Sequence, residues 1–402
     1  MERVSPETIG LSSGRLSRIS RAMQAHIDRG KFPGLVTMVA RRGRVAHAEC
    51  FGWTDVKADK PMQLDAIFRM ASMTKPVTSV AVMMLYEEGL FQLSDPVSRF
   101  LPEFQGSKVF AGTSGGTMRL VDAARDITIG DLLTHLSGLA EGYGQDRPLK
   151  ELYESAELSR EDTTLEELAH KLAGLPLLHQ PGMAWRYGRS YDVLARLVEV
   201  VSGKPFADFL DQEIFGPLGM PDTGFYVPRE KRDRFTAAYG VSDTAGLTVH
   251  DSSEASPCLA PPALTSGSGN LLSTAPDYAR FCQMLLNGGE LDGVRLLGRK
   301  TVELMTANHL RSTLLPMRPF PDVDWRAYGY GLGFRILLDV DQSQIVGSSG
   351  EYCWAGYWST HFWVDPKEEL IGVFMTQVGP SPYWPNMIPP DFKVLVYQAI
   401  VD

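Results

Sequence analysis

Strand patterns stand at the two ends of this chain, and helical patterns fill the stretch between them. Near the N-terminus, "LVTMVA" and "RVAHAECFGW" flank Arg41-Arg42-Gly43, two β-rich runs around a short turn, which reads as a hairpin. Strands return in "YGYGLGFRILLDV", "YWSTHFWVD" and "ELIGVFMTQV", ahead of a closing helix "DFKVLVYQAIV". In between, apolar spacing predicts helices over 75–88, 128–135, 164–174, 190–202, 205–213, 275–287 and 298–307. A further helix over 13–29 opens the chain, with Ser12 and Ser13 as caps and Gly30 as its stop. The expected class is α+β: one antiparallel sheet built from both chain ends and flanked by helices, with a mostly helical region inserted. The boundaries that follow are 1–71 and 311–402 for a discontinuous sheet domain and 72–310 for the helical one. A cleft belongs where the two meet.

What that cleft receives is bounded by charge. The formal net charge is −9, and Lys and Arg occur singly or in pairs such as Arg41-Arg42. Such a chain offers no basic surface to nucleic acid or to an anionic membrane, so the expected partner is a small neutral or weakly charged molecule. The N-terminal "MERVSPETIGLSSGRLSRIS" has no apolar signal core, and no stretch supplies the roughly 18 consecutive apolar residues of a membrane span. The expected compartment is the cytoplasm. Cys50, Cys258, Cys282 and Cys353 are scattered without a CxxC and read as reduced thiols. The histidines are equally dispersed and form no HExxH, so neither a metal nor another cofactor is expected. The pattern carries no signature of oligomeric state.

The segment "RMASMTKPVTSVAVMML" (69–85) carries the chemistry. The run after Lys75 is apolar on nearly every face, the mark of a helix buried in a core. Pro76 lacks an N–H and fits without loss only in a first helical turn, so the helix starts at or near Ser72. Residues three apart on a helix share a face, which makes Ser72 and Lys75 neighbours. Two readings remain open from the residues alone: a serine cap with a solvated lysine, or a nucleophile with its proton-exchanging partner. The segment holds the only SxxK of the chain, and the lysine begins a helix whose other residues look buried. Burial shifts an ammonium toward its neutral form, which suits proton exchange with a hydroxyl.

"FRMASMTKP" resembles the nucleophile segment of the serine β-lactamase and penicillin-binding-protein superfamily, in particular its class C-like branch containing the family VIII esterases and related acyltransferases. "LLTHLSGL" (132–139), "PGMAWRYGRSYDVLARLVEVVSG" (181–203), "IFGPLGMPDTGF" (214–225), "SGSGNLLSTAPDYARF" (266–281) and "YGLGF" (330–334) follow in the order and spacing of that branch. The resemblance spans nearly the whole chain and implies a β-lactamase/transpeptidase-like fold with its active site at the domain junction. It identifies Tyr187, in Tyr187-Gly188-Arg189, as the catalytic tyrosine. A phenol beside an ammonium is pushed toward phenolate and can take the Ser72 proton. Tyr191 is the nearest alternative and reads as packing. Arg189 stands where many β-lactamases carry asparagine, and a solvated side chain is the simpler expectation for it.

The family's Lys-Thr-Gly-like triplet corresponds to Trp354-Ala355-Gly356, with Tyr357 next. The resemblance implies that the glycine lets substrate approach the strand and that the N–H groups of Ser72 and Tyr357 form the oxyanion hole. Tryptophan in place of lysine removes the cation that holds a β-lactam carboxylate, which favours an ester hydrolase. Trp354, Ala355, Gly356 and Tyr143 are the expected substrate contacts. The implied activity is cleavage of small-molecule carboxylic esters through a Ser72 acyl-enzyme, with acyl transfer to an alcohol, or β-lactamase and D-peptidase activity, as alternatives. A non-catalytic binding protein on the same fold is the reading furthest from the residues.

Three further features compete for attention. Gly112-Thr113-Ser114-Gly115-Gly116 matches GxSxG, but its context reads as a hairpin or loop, without the strand-turn-helix that this motif requires. His135, at the end of a short helix, reads as a structural hydrogen-bonding residue, and His361, on a predicted strand, as a pocket-lining candidate at most.

Overall fold

The chain's first and last strands lie side by side. β1 (Gly34–Arg41) pairs antiparallel with β2 (Arg44–Asp55) through the tight turn at Arg42-Gly43, where both residues have positive φ (52° and 74°). A short β3 (Lys60–Pro61) follows at that edge. The remaining strands come from the far end: β4 (Tyr328–Tyr330), β5 (Arg335–Leu337), β6 (Tyr352–Ala355), β7 (His361–Asp365) and β8 (Leu370–Thr376). β8 pairs with β1 from Leu35↔Thr376 to Arg41↔Leu370, which closes one eight-stranded sheet in the order β4-β5-β6-β7-β8-β1-β2-β3. Every pairing in it is antiparallel. This computed structural model describes residues 1–140, 147–160, 162–242, 246–320, 323–383 and 388–402.

β1 is buried along its whole length, because both faces of the sheet are covered. The covering helices that bear on the site are α1 (Ser13–Asp28), α2 (Thr74–Glu87), α3 (Ser190–Ser202), α4 (Ala275–Leu286) and α5 (Pro390–Tyr397). On one face, Leu16, Ile19 and Met23 of α1 and Phe392 and Val396 of α5 pack with Leu35, Val39, Trp363 and Phe374. On the other, α2, α3 and α4 share a second and larger core with Val36, Met38, Phe362 and Val373. α4 lies directly on β1 and β8, and Tyr278 packs on Phe362 at 5.2 Å. Its phenol also donates to Met73 O at 2.9 Å, which ties the sheet layer to the start of α2.

α2 buries eleven of its 14 residues, so it is a core helix with no solvent face, as its all-round apolar sequence requires. It begins two residues later than Ser72. Residues Ala71–Met73 form a single 3-10 turn, and α2 then starts at Thr74 without a side-chain cap, so Ser72 is not the cap of this helix.

Candidate active site

The segment before Ser72 is held from two sides. Phe68 and Arg69 pair with Ser273 and Leu272, Met70 N–H donates to Leu271 O at 2.8 Å, and Thr74 Oγ1 accepts from Leu271 N–H at 3.2 Å. Ala71 sits between these anchors at φ +46, a left-handed conformation that costs a non-glycine residue about 1 kcal/mol or more. Rigid neighbours hold that strained residue in place, and the kink presents Ser72 at the entrance to α2.

Ser72 is half-buried, and its Oγ has two close neighbours. Tyr187 Oη–H donates to it at 2.6 Å and Lys75 Nζ at 3.2 Å. Lys75 is 1% exposed. Its ammonium also donates to Ser268 O at 2.7 Å and lies 4.6 Å from the centre of the Tyr187 ring. Helical spacing brought the lysine to the serine, and the loop ahead of α3 brings the tyrosine.

Tyr187 rests on "LLTHLSGL". Arg186 N–H donates to His135 O at 3.0 Å, and Ser137 and Ser190 share a hydroxyl bond of 2.8 Å. A Cβ on Gly188 would lie 2.0 Å from Leu139 O, so only glycine lets the two backbones meet there. His135 corrects the expectation of a hydrogen-bonding role. It is buried at φ +57, and neither ring nitrogen has a partner among the described residues. The ring instead packs on Tyr187 at 4.7 Å and Tyr191 at 5.1 Å. Burial, aided by the Lys75 charge, holds His135 far below the usual histidine range and keeps it neutral. Tyr191 is buried too and donates to Leu133 O at 2.7 Å, a packing role as expected.

The strand β6 brings Trp354 and Ala355 to the site, and the turn after it meets the segment just before Ser72. Thr360 Oγ1 donates to Met70 O at 3.2 Å, and Gly356 N–H donates to Thr360 O at 2.8 Å. A Cβ on Gly356 would stand 2.2 Å from Met70 O. Glycine is therefore required here by contact with the protein's own backbone. Tyr357 follows, 50% exposed and edge-on to Trp358 at 5.0 Å. Trp354 lies 5.8 Å from Tyr187 and 5.4 Å from Tyr330, and Trp325 stands 6.1 Å from Trp354 and 6.4 Å from Trp185. These rings make an aromatic wall beside the Tyr187 phenol. Tyr143 lies outside the described residues.

Arg189 is not simply solvated: Nη1 is 3.5 Å from Asp192 Oδ2 and Nη2 donates to Ser159 Oγ at 3.4 Å. His361 packs on Trp363 at 6.1 Å, on the sheet face that α1 and α5 cover. The alternation of β7 places the ring on the side away from Ser72, so His361 does not line the cleft. Ser114 is exposed at the end of a strand (Lys108–Ser114) that turns directly into another (Thr117–Asp122), without the helix that GxSxG needs. All four cysteines are free thiols. Among the described residues no cluster of metal-ligating side chains occurs, and no helix is long and apolar enough to cross a membrane. The sequence reading missed Ser268, Asp192 and Trp325. Ser268 had a signal in the quoted "SGSG", whereas nothing local marks the other two.

The Beta-lactamase family model matches residues 19–392. An uncharacterized protein of Mycobacterium tuberculosis is 37% identical over 363 residues, 88% of each chain. Esterase EstB of Burkholderia gladioli is 31% identical over 389 residues, 93% of each chain. Among solved structures, EstCE1, described as a hydrolase with promiscuous acyltransferase activity, superposes with a TM-score of 0.77 at 25% identity, over 97% of this chain and 99% of its own.

Proposed function

The chain belongs to the Beta-lactamase family, and on that premise we propose that it is a serine carboxylesterase acting through a Ser72 acyl-enzyme. One observation carries the reading: a half-buried serine hydroxyl has a phenol at 2.6 Å and an ammonium at 3.2 Å, both within proton-transfer distance. In the resting arrangement both neighbours donate to Ser72 Oγ, so reaction requires the pair to lose one proton. The deprotonated member then takes the Ser72 proton as Oγ attacks the ester carbonyl carbon. That proton passes to the alkoxide as the C–O bond breaks. In the second half, the same base takes a proton from water, whose oxygen attacks the acyl carbon, and Ser72 leaves with the proton restored. Lys75 and Tyr187 titrate as a unit, and the base belongs to the pair.

The N–H groups of Ser72 and Tyr357 receive the charge that develops on the carbonyl oxygen, each such donor being worth about 3 kcal/mol. The contact of Gly356 with Met70 supports this role for Tyr357, because it seats the 356–357 backbone against the nucleophile segment. Trp354 offers an apolar wall where a lysine would hold a carboxylate, so neutral esters are the substrate class rather than β-lactams or D-peptides. Residues 1–71 with 311–402, and 72–310, act as two parts with the reaction at their junction. Four free thiols fit a reducing compartment, and the reading places the protein in the cytoplasm.

The aromatic wall beside Tyr187 favours a second outcome for the same intermediate. An apolar alcohol resting against the part-exposed Trp325 beside Trp354 competes with water for the acyl group, and EstCE1 is a relative described with that side activity. Intact-mass measurement after exposure to an ester panel tests both readings. An acyl adduct that maps to Ser72 supports the esterase, and an adduct on any other residue, or none with any ester, overturns it. Adding a bulky acceptor alcohol then measures transfer against hydrolysis.

A further inference from the structure

Asp192 lies in the first turn of α3 and is 1% exposed. A carboxylate so buried is costly unless its oxygens are occupied. Oδ1 accepts from Ser266 Oγ at 2.5 Å and from Ser268 N–H at 3.2 Å, and Oδ2 faces Arg189 Nη1 at 3.5 Å. The turn 266–268 is thus folded around this carboxylate, and Ser266 Oγ also accepts from Ser268 N–H at 3.1 Å. Two other contacts fix the turn. Thr78 Oγ1 of α2 donates to Gly267 O at 2.8 Å, and a Cβ on Gly267 would meet Tyr191 O at 2.3 Å and Ala195 Cβ at 2.8 Å. The result is a single orientation for the Ser268 carbonyl, aimed at Lys75 Nζ from 2.7 Å. One residue's N–H binds the carboxylate and its C=O binds the ammonium.

We propose that Asp192 is a positioning residue for Lys75, acting through Ser266 and Ser268, with Arg189 serving Asp192 rather than the substrate. The inference rests on the esterase reading and deepens it. Asp192 touches no reacting atom. It sets the direction of the lysine's carbonyl partner and supplies a negative charge one residue removed from the Lys75/Tyr187 pair, which favours the protonated pair. Among the described residues, the Tyr191 ring lies 6.0 Å from Lys75 Nζ, and His135, which packs on Tyr187 and Tyr330, stays neutral.

The test compares wild type, Asp192→Asn, Asp192→Ala and Ser266→Ala for thermal midpoint, kcat and KM on p-nitrophenyl acetate, and the pH dependence of both turnover and Ser72 labelling by a fluorophosphonate. Asp192→Asn keeps an acceptor for Ser266 Oγ–H and Ser268 N–H, loses the charge and turns an amide NH2 toward Arg189 Nη1 in place of Oδ2. It should lower kcat about tenfold with KM within about twofold, and move the rising limb of the profile to lower pH. Asp192→Ala frees the turn and should cost about 100-fold in kcat. An Asp192→Asn protein with wild-type kcat and a superimposable pH profile overturns the proposal. So does failure of all three variants to fold, which would make Asp192 a structural residue only. Where Asp192→Ala alone does not fold, Asp192→Asn and Ser266→Ala decide. Labelling separates this claim from the esterase reading: a wild type that is labelled at Ser72 but turns over no ester sinks the latter, while the labelling profiles still judge Asp192.

Discussion

Ser72 and Ser114 both sit in short patterns that serine nucleophiles use, and glycines stand near both, but the two surroundings differ in kind. Around Ser72 the glycines are walled in: an added Cβ would reach 2.0 Å from Leu139 O at Gly188, 2.3 Å from Tyr191 O at Gly267 and 2.2 Å from Met70 O at Gly356. Around Ser114 the same substitution at Gly112, Gly115 or Gly116 meets nothing within 4 Å. The first set lets separate backbones converge on one hydroxyl, and the second lets one hairpin turn. A serine motif acquires chemistry only where other parts of the chain close on it.

The comparison breaks most sharply at Ser72 itself. Ser72→Ala should reduce kcat on a short-chain nitrophenyl ester by about 10⁴-fold or more, to the background of binding and oxyanion donors. Stopped assays with titrated active enzyme check this, and residual turnover within tenfold of wild type would remove Ser72 from the mechanism. Tyr187→Phe keeps the ring over Lys75 and deletes only the oxygen 2.6 Å from Ser72 Oγ. A loss of about 10²- to 10⁴-fold in kcat is expected, with KM little changed.

Between these extremes lies Gly356→Ala. Its Cβ would stand 2.2 Å from Met70 O, so either the segment leading to Ser72 or the turn carrying Tyr357 N–H must move. Displacement of about 1 Å costs roughly 100-fold in rate, and overpacking costs about 1–3 kcal/mol in stability. Paired kcat and melting measurements should show both losses, and a variant with native activity would mean that Tyr357 N–H is not an oxyanion donor.

How far the sequence carried this comparison depends on the range of each contact. The opening helix and the hairpin at Arg42-Gly43 were legible because capping, spacing and turn chemistry are local, and α1 ends within one residue of its expected limit. The neighbourhood of Ser72 and Lys75 was legible for the same reason, as helical spacing alone sets it. Helical structure begins near Ser72 as expected, but the first turn is 3-10, opened by the strained Ala71, and the α-helix proper starts at Thr74. Contacts across long separations were not readable. Asp192 meets Ser268 across 76 positions, and Met70 meets the turn after β6 across 290, and neither leaves a periodic trace. Similarly, the pattern over 275–287 announces a helix but not that it lies on β1 and β8.

pH sharpens the comparison further. With both neighbours donating to Ser72 Oγ, activity should rise with pH as the Lys75/Tyr187 pair loses a proton, and no limb should belong to His135, which burial keeps neutral. Stability follows a different rule. His135 and His361 are both held well below the ordinary histidine value by burial, whereas unfolded histidines take up protons below about 6.5. The unfolded chain then binds more protons than the folded one, so stability is full above that pH and is lost as pH falls. Melting midpoints at pH 7.5 and 5.0 should show the drop, and a flat profile would contradict the neutral, buried assignment.

The smallest effects are expected at the other serine. Ser114 is exposed and paired only with Thr117 across the hairpin tip, so Ser114→Ala removes no contact that reaches α2, α3 or β6. Its kcat, KM and pH profile should match wild type within about twofold, the range of ordinary surface substitutions. Gly115→Ala is the stricter control. Gly115 has φ +57, so alanine there carries a backbone cost of about 1 kcal/mol even with open space around it. That strain should appear as a small fall in melting temperature without any change in kcat. If instead the hairpin variant loses activity in step with Gly356→Ala, the hairpin communicates with the cleft. The contrast between a glycine that joins distant backbones and one that merely turns its own chain would then no longer separate the two serines.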